Sequence, residues 1–333
     1  MIAGVAVSVA LIVWLLRSVD LPELGRQLAG TRWWWVLPAV AVGPIGLWAR
    51  ALRWRYLFPP RLDPPGLVPA NMIGYMCNNI LPLRAGELVR VYVAARHLRA
   101  ERGMAASESL WLAGATVIVE RLLDSLTLVL IMAVLIFVIP VPRALEYAAA
   151  VILALDAMAA GVLVALAVAP EPTRRVLARL TQRWPSLARR AERALDMVLL
   201  GLTGVRTRAH LAPLATWTVF VWVIGALGTW ALLRAVHLEL PLVAGWAVMV
   251  FVGFGISIPS APGYVGVWHA ANVLALAIFG VSQATALGYA VLYHASQFVP
   301  ITLIGWIFLL REHVSLGEAT RAPGPSLAAP DGH

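Results

Sequence analysis

Six apolar runs dominate the chain: Ile2 to Leu16, Trp33 to Ala49, Leu110 to Ile139, Tyr147 to Ala169, Leu211 to Leu233 and Ala284 to Leu310. About 20 apolar residues cross a ~30 Å hydrocarbon layer as a helix, and in lipid every peptide group must find its partner inside such a segment. The runs therefore predict an all-α polytopic membrane protein. Composition agrees, with 61% hydrophobic and 13% charged residues among 333 and a mean hydropathy of +0.81. The first run is short, but it has no basic leader and no small-residue cleavage site, so a retained span is expected.

Two further apolar stretches are broken in the middle by proline and glycine. Leu67 to Ala95 is interrupted around Pro82 and Gly86, and Val243 to Phe279 around Pro259, Pro262 and Gly263. Arginine placement decides how these run. All 26 basic residues are arginine, against 17 acids, for a formal charge of +9. Arg50, Arg53, Arg55 and Arg61 precede the first broken stretch, and Arg96, Arg99 and Arg102 follow it. By the positive-inside rule both ends lie in the cytoplasm, so the stretch enters and returns as a re-entrant hairpin. The segment 170–210, with nine arginines and three acids, is expected to be a cytoplasmic loop of short amphipathic helices on anionic headgroups. Following the chain onward, the second broken stretch dips in from outside, and both termini fall in the cytoplasm. By this count 18 arginines are cytoplasmic, five (Arg17, Arg26, Arg32, Arg143, Arg234) external, and Arg84, Arg90 and Arg121 at or in the membrane. Arg17, Arg26 and Arg32 cluster around Asp20 to Arg32, read as an interfacial helix.

Shifted by 177 residues, Pro82-Leu-Arg-Ala-Gly86 lies over Pro259-Ser-Ala-Pro-Gly263, and Glu120 over Gln297. The same shift carries the run at 33–49 onto 210–226. The unit of span, broken hairpin and span thus occurs twice, at about 33–139 and 211–310, in opposite orientations. Such inverted repeats with interrupted helices are built into many transporters, where the interruptions mark the substrate site. The expected architecture is six spanning helices plus two re-entrant helical hairpins arranged as an inverted repeat over residues 1–312. A polar tail at 313–333, expected to be disordered, follows.

The first tip holds Asn78, Asn79, Pro82, Arg84, Gly86, Glu87 and Arg90. A half-helix starting after Pro82 aims its free N–H groups and positive dipole end toward the tip beside Arg84, which makes an anion site. Arg84 can grip a phosphate bidentately, Glu87 and Arg90 are spaced for an ion pair, and Asn78 and Asn79 offer amides to hydroxyls. The alternative is that Arg84 and Glu87 pair and merely hold the hairpin shut. Glu120, Arg121 and Asp124 interrupt the third run. Glu120 and Asp124 share a helix face, and charges in a span are costly unless paired inside the protein. Counting 20 residues back from Ile139 puts Glu120 near the cytoplasmic boundary, so the group reads either as an interfacial pairing network or as a functional partner of Arg84. The second tip carries no charge; Ser260 is expected to cap the returning half-helix, with Pro262 in its first turn and Gly263 at the tip. His294 and Gln297 are polar residues of that apolar neighbourhood, as hydrogen-bonded structure or as a relay.

Several functions are excluded or unsupported. Without lysine there is no phosphate-loop NTPase and no Schiff-base chemistry. One cysteine, Cys77, excludes an internal disulfide and a multi-cysteine metal site. No enzyme motif, metal set or cofactor motif is present, and no nucleic-acid partner is expected.

Taken in order, Pro82-x-Arg84-x-Gly86-Glu87-x-x-Arg90, Glu120-Arg121-x-x-Asp124 and Pro259-x-x-Pro262-Gly263-x-x-Gly266 resemble the lysylphosphatidylglycerol synthase transmembrane-region family, also called flippase-like. The resemblance spans nearly the whole chain, about 1–312. It implies a lipid translocase or a partner of lipid-modifying enzymes. Bifunctional members carry a soluble aminoacyl-transferase domain after the membrane part, whereas only the polar tail follows here, so synthase activity is not expected. The resulting expectation is a non-enzymatic flippase in the cell inner membrane moving a lipid with an anionic headgroup, such as a phospholipid, a polyprenyl-phosphate-linked lipid or a hopanoid-type lipid, passively or coupled to an ion. The alternative is a non-transporting scaffold that binds a cytoplasmic glycosyltransferase or other lipid-modifying enzyme through 170–210. Oligomeric state is left open.

Overall fold

A computed structural model describes residue 25 and residues 29–312 apart from 183, 258 and 259. The expected span at 2–16, most of the interfacial stretch at 20–32, Pro259 and the tail at 313–333 lie outside the described residues. Within them the chain is helical with no strand. In order it forms α1 (Trp33–Arg55), α2 (Leu67–Ile80), a 3-10 turn (Pro82–Arg84), α3 (Gly86–Arg102) and α4 (Ala106–Ile136). Then follow α5 (Arg143–Val168), α6 (Pro170–Thr181), α7 (Pro185–Gly201), α8 (Thr203–Arg206) and α9 (Arg208–Ala235). Last come α10 (Leu242–Ser257), a second 3-10 turn (Pro262–Tyr264), α11 (Val267–Ala277) and α12 (Gln283–Arg311).

Among the described residues, four helices are long and apolar enough to cross a membrane: Trp33–Arg55, Arg143–Leu166, Arg208–Ala235 and Gln283–Arg311. Helix α4 is 31 residues long, about 46 Å at 1.5 Å per residue. Its three internal charges, Glu120, Arg121 and Asp124, set it apart from the other four. Five of the six apolar runs therefore sit in long helices, and the broken stretches fold into two helical hairpins whose arms pack on each other.

The two breaks share one backbone recipe. The residue before the turn's proline is extended, Leu81 at φ −94, ψ 147 and Ala261 at φ −62, ψ 161, as proline demands of its predecessor. The third residue of each turn is left-handed, Arg84 at φ 54 and Tyr264 at φ 60. That conformation is uncommon outside glycine and is held only where packing enforces it. Here the returning half-helix corrects the sequence reading: α11 begins after Gly266 (φ 90), and the turn opens on Ala261, so Ser260 is not the cap. The left-handed residues at 263, 264 and 266 keep the chain from entering a helix at Pro262.

Helix order recurs along with the turns. Whereas the turns that open on Pro82 and Pro262 are 180 apart, the start of α4 at residue 106 and that of α12 at 283 are related by the shift of 177 read in the sequence. Helices α1 and α9, related by that shift, pack antiparallel: the Arg32 amide donates to the Ala235 carbonyl at 2.9 Å at one end, and His210 Nδ1 meets the Tyr56 carbonyl at 2.8 Å at the other. Arg32 and Arg234 both reach Glu239. At the opposite pole, Arg96 donates to the Glu312 carbonyl at 2.8 Å. Each hairpin carries its own hydrophobic core. One gathers Trp54, Ile73, Met76, Val93 and Leu112 around α2 and α3; the other gathers Met132, Leu232, Val248, Phe251 and Leu276 around α10 and α11.

Small residues let the backbones approach, as expected where lipid supplies no hydrophobic drive between helices. Gly86 is the tightest case. A methyl there would collide with the Gly74 carbonyl and Asn78 of the facing arm, so Gly86 serves the hairpin crossing. Gly86→Ala is expected to cost about 1–3 kcal/mol or more, seen as a lowered thermal midpoint in detergent. Gly114→Ala, where a methyl meets nothing within 4 Å, is expected to be neutral or stabilising.

Candidate functional site

The charges of α1, α3 and α4 converge in one buried network. Arg53 from the last turn of α1 donates from Nη2 to Glu120 Oε1 at 3.1 Å and from Nη1 reaches Asp124 Oδ1 at 2.7 Å. Arg50, one turn earlier, binds Asp124 Oδ2 at 2.6 Å. Arg90 of α3 binds the second oxygen of Glu120, reaches Glu87 at 3.3 Å, donates to Asn71 Oδ1 at 3.1 Å and lies over the Trp54 ring at 4.6 Å. Arg121 donates to the Tyr75 hydroxyl at 3.2 Å and stands 3.6 to 3.9 Å from Glu87, Glu120 and Asp124. Side chains of Arg53 and Glu120 are 0% exposed. Four guanidinium groups thus enclose three carboxylates, leaving one positive charge uncompensated.

The predicted pair Glu87–Arg90 and the shared face of Glu120 and Asp124 are present. Glu120 is fully buried in the protein, near the middle of the 31-residue α4. One role was not foreseen: Arg50 and Arg53, counted among the cytoplasmic arginines, are members of the network through Asp124 and Glu120. Their partners lie 74 and 67 residues away in sequence, so no local spacing signals them.

The two tips meet beside this network. Arg84 makes no ion pair with Glu87, Glu120 or Asp124. Its guanidinium donates to the Ile256 carbonyl at the end of α10 and lies over the Tyr264 ring at 5.8 Å. The two left-handed residues of the turns are therefore in contact. Asn79 donates to Thr302 Oγ1 at 2.9 Å on α12, and Gly263 packs against the Asn79 carbonyl and Phe298.

A cavity of about 720 Å³ opens between the tips and helices α1, α4, α9 and α12. Arg50, Arg84, Glu87, Arg121 and Asp124 line one end, with Asn78 and Asn79. Leu128, Val221, Trp222, Met249 and Val252 form an apolar wall. Gly263, His294 and Gln297 also line it, but His294 is stacked on Trp268 at 5.4 Å and Gln297 donates to the Ala39 carbonyl at 2.9 Å. Arg90 is 1% exposed and engaged on every side, so among the predicted cations only Arg84 and Arg121 reach the cavity, joined by Arg50. Gly86 and Ser260 are not part of its lining. Asp156 of α5, in a run read only as a span, lines it too. A lone acid in an apolar stretch is the signal that marks such a residue in sequence.

Hairpins with broken backbone, enclosed by long apolar helices and closing on a polar cavity, define a polytopic α-helical membrane protein. Residues 1–305 match the family described as the lysylphosphatidylglycerol synthase TM region, and the chain belongs to that family. No curated protein and no solved structure matches the chain.

Removing one member of a buried ion pair strands its partner and typically costs ~3–5 kcal/mol. Arg53→Met is expected to destabilise by about that much, because it strips two carboxylates at once. Arg50→Met, on a side chain 20% exposed with one carboxylate partner, is expected to cost less. Thermal unfolding followed by tryptophan fluorescence checks the order.

Proposed function

We propose that the protein is a lipid translocase that moves a lipid with an anionic headgroup between the leaflets of the cell inner membrane, without converting it chemically. One observation carries this reading: the cavity joins a cationic end to an apolar wall, and its Arg84 is held by neutral partners alone. A guanidinium free of carboxylates binds phosphate oxygens bidentately, with Arg121 and Arg50 adding positive field and Asn78 and Asn79 supplying amides. The apolar wall suits the first methylenes of an acyl or prenyl chain. A cavity of this size and mixed character is typical of ligand sites. Membership of a lipid-linked membrane family agrees.

In this reading the chain has six spans and two re-entrant hairpins forming an inverted repeat, with both termini cytoplasmic. Support comes from the antiparallel packing of α1 on α9 and the recurrence of the helix order. The joining of Arg32 and Arg234, both counted as external, at Glu239 also fits. Irregular backbone at membrane depth is tolerated where protein or a polar cavity encloses it, as at both tips.

Two experiments test the proposal. In liposomes carrying a fluorescent anionic phospholipid, Arg84→Ala is expected to slow movement by about 10- to 100-fold, the worth of a charge-assisted hydrogen bond, while still eluting as a monodisperse protein; wild-type speed removes Arg84 from the mechanism. In a Cys77→Ser background, Pro65→Cys and Glu101→Cys are expected to react with an impermeant maleimide from one face of the membrane, and Ser282→Cys from the other. Labelling of residues 65 and 101 from opposite faces means that α2 and α3 cross, and the inverted repeat fails.

A further inference from the structure

Helix α5 lies at the edge of the bundle. Along its apolar stretch Arg143–Leu166 most side chains face outward, and only Ala149 and Asp156 are buried. They are seven residues apart and so share one face, the seam packed on α4. Asp156 is 13 residues from one end of that stretch and 10 from the other, about 20 Å and 15 Å along the axis, close to the middle of a span. It is 7% exposed, its Oδ2 has no hydrogen-bond partner, and among the described residues it has no ion-pair partner. Yet it lines the cavity between the tips. Acidic side chains within a span are rare, face the protein interior or a cavity, and mark ion or proton pathways; proton binding here adds one proton to a carboxylate oxygen.

Its charged surroundings leave it alone in this respect. On α4, Glu120 is enclosed by Arg53 and Arg90, Asp124 by Arg50 and Arg53, and Arg121 is engaged with Tyr75 and Glu87; Glu108 stands in the first turn, remote along the helix. On α6, Arg174 pairs with Asp196, while Glu171, Arg175 and Arg179 begin beyond the end of α5, at least ~18 Å along the chain from Asp156. Arg143 and Glu146 lie at the far end of α5 itself. Across the cavity, His294 is stacked on Trp268 and Tyr264 faces Arg84.

We propose that Asp156 is a reversible proton site through which movement of the lipid responds to a proton gradient. Proton binding switches this one position of the cavity wall between charged and neutral, so that an anionic headgroup passes more readily when the site is protonated. The coupling rests on the translocase reading; the proton site does not.

Infrared difference spectra between acid and alkaline pH, taken on the purified protein in lipid nanodiscs, read the site directly. The wild type is expected to show the carbonyl stretch of a protonated carboxyl group, lost in Asp156→Asn and shifted in Asp156→Glu. A band that is absent from the wild type, or that survives in Asp156→Asn, overturns the proposal whether or not lipid moves. Vesicles with an imposed pH gradient and a fluorescent anionic phospholipid read the coupling. The wild-type rate is expected to change several-fold when the gradient is reversed, the ratio falling to near one in Asp156→Asn and recovering in Asp156→Glu. An unchanged ratio in Asp156→Asn overturns the coupling. If the band belongs to Asp156 but the wild type moves no lipid, the proton site stands and the translocase reading falls. Monodisperse elution of the isosteric Asp156→Asn shows that folding is intact.

Discussion

The fold turns on four guanidinium groups gathered around three carboxylates where α1, α3 and α4 meet. Lipid offers these charges no hydration, so they must satisfy one another or not be buried at all. Arg53 spans both Glu120 and Asp124, tying the end of α1 to the middle of α4. Arg90 ties the same Glu120 to α3 and, through Asn71, to α2. One cluster therefore sets the depth and rotation of four helices at once. Van der Waals packing alone leaves such helices free to slide by a turn with little penalty; guanidinium groups shared between carboxylates of different helices or turns do not.

The hairpins depend on that anchoring. Each break exposes peptide groups and holds one side chain in a left-handed conformation, a local cost that the surroundings must offset. The first hairpin is braced by the charge network and by the close crossing at Gly74 and Gly86. The second has no charges and is braced by aromatic packing, with Trp268, Tyr293, His294 and Phe298 in mutual contact. Two copies of one backbone plan are thus stabilised by different chemistry, and the cavity inherits the difference as one cationic end and apolar walls.

Much of this was legible in the sequence where the cause is local. Long apolar runs, prolines that end helices, the Glu87–Arg90 spacing and the shared face of Glu120 and Asp124 are all properties of neighbouring residues, and the structure contains each of them. What was not legible is set by distant partners. Arg50 and Arg53 look like ordinary flanking cations until α4 folds beside them, and Arg90 looks available for a headgroup until Trp54, Asn71 and Glu120 surround it. Ser260 has the right side chain for a cap, yet the left-handed positions at 263, 264 and 266 move the helix start beyond it. Asp156 was hidden by the apolar run around it, because a window that averages hydropathy absorbs a single acid.

The contact between the tips has a competitive character. Arg84 holds the second hairpin through a peptide carbonyl and the face of a ring, both neutral acceptors. Hydrogen bonds between a guanidinium and an anion are roughly twice as strong as those to neutral groups. An anion entering the cavity and the opposing hairpin thus draw on the same five N–H donors, which makes occupancy and tip-to-tip closure rival claims on a single side chain.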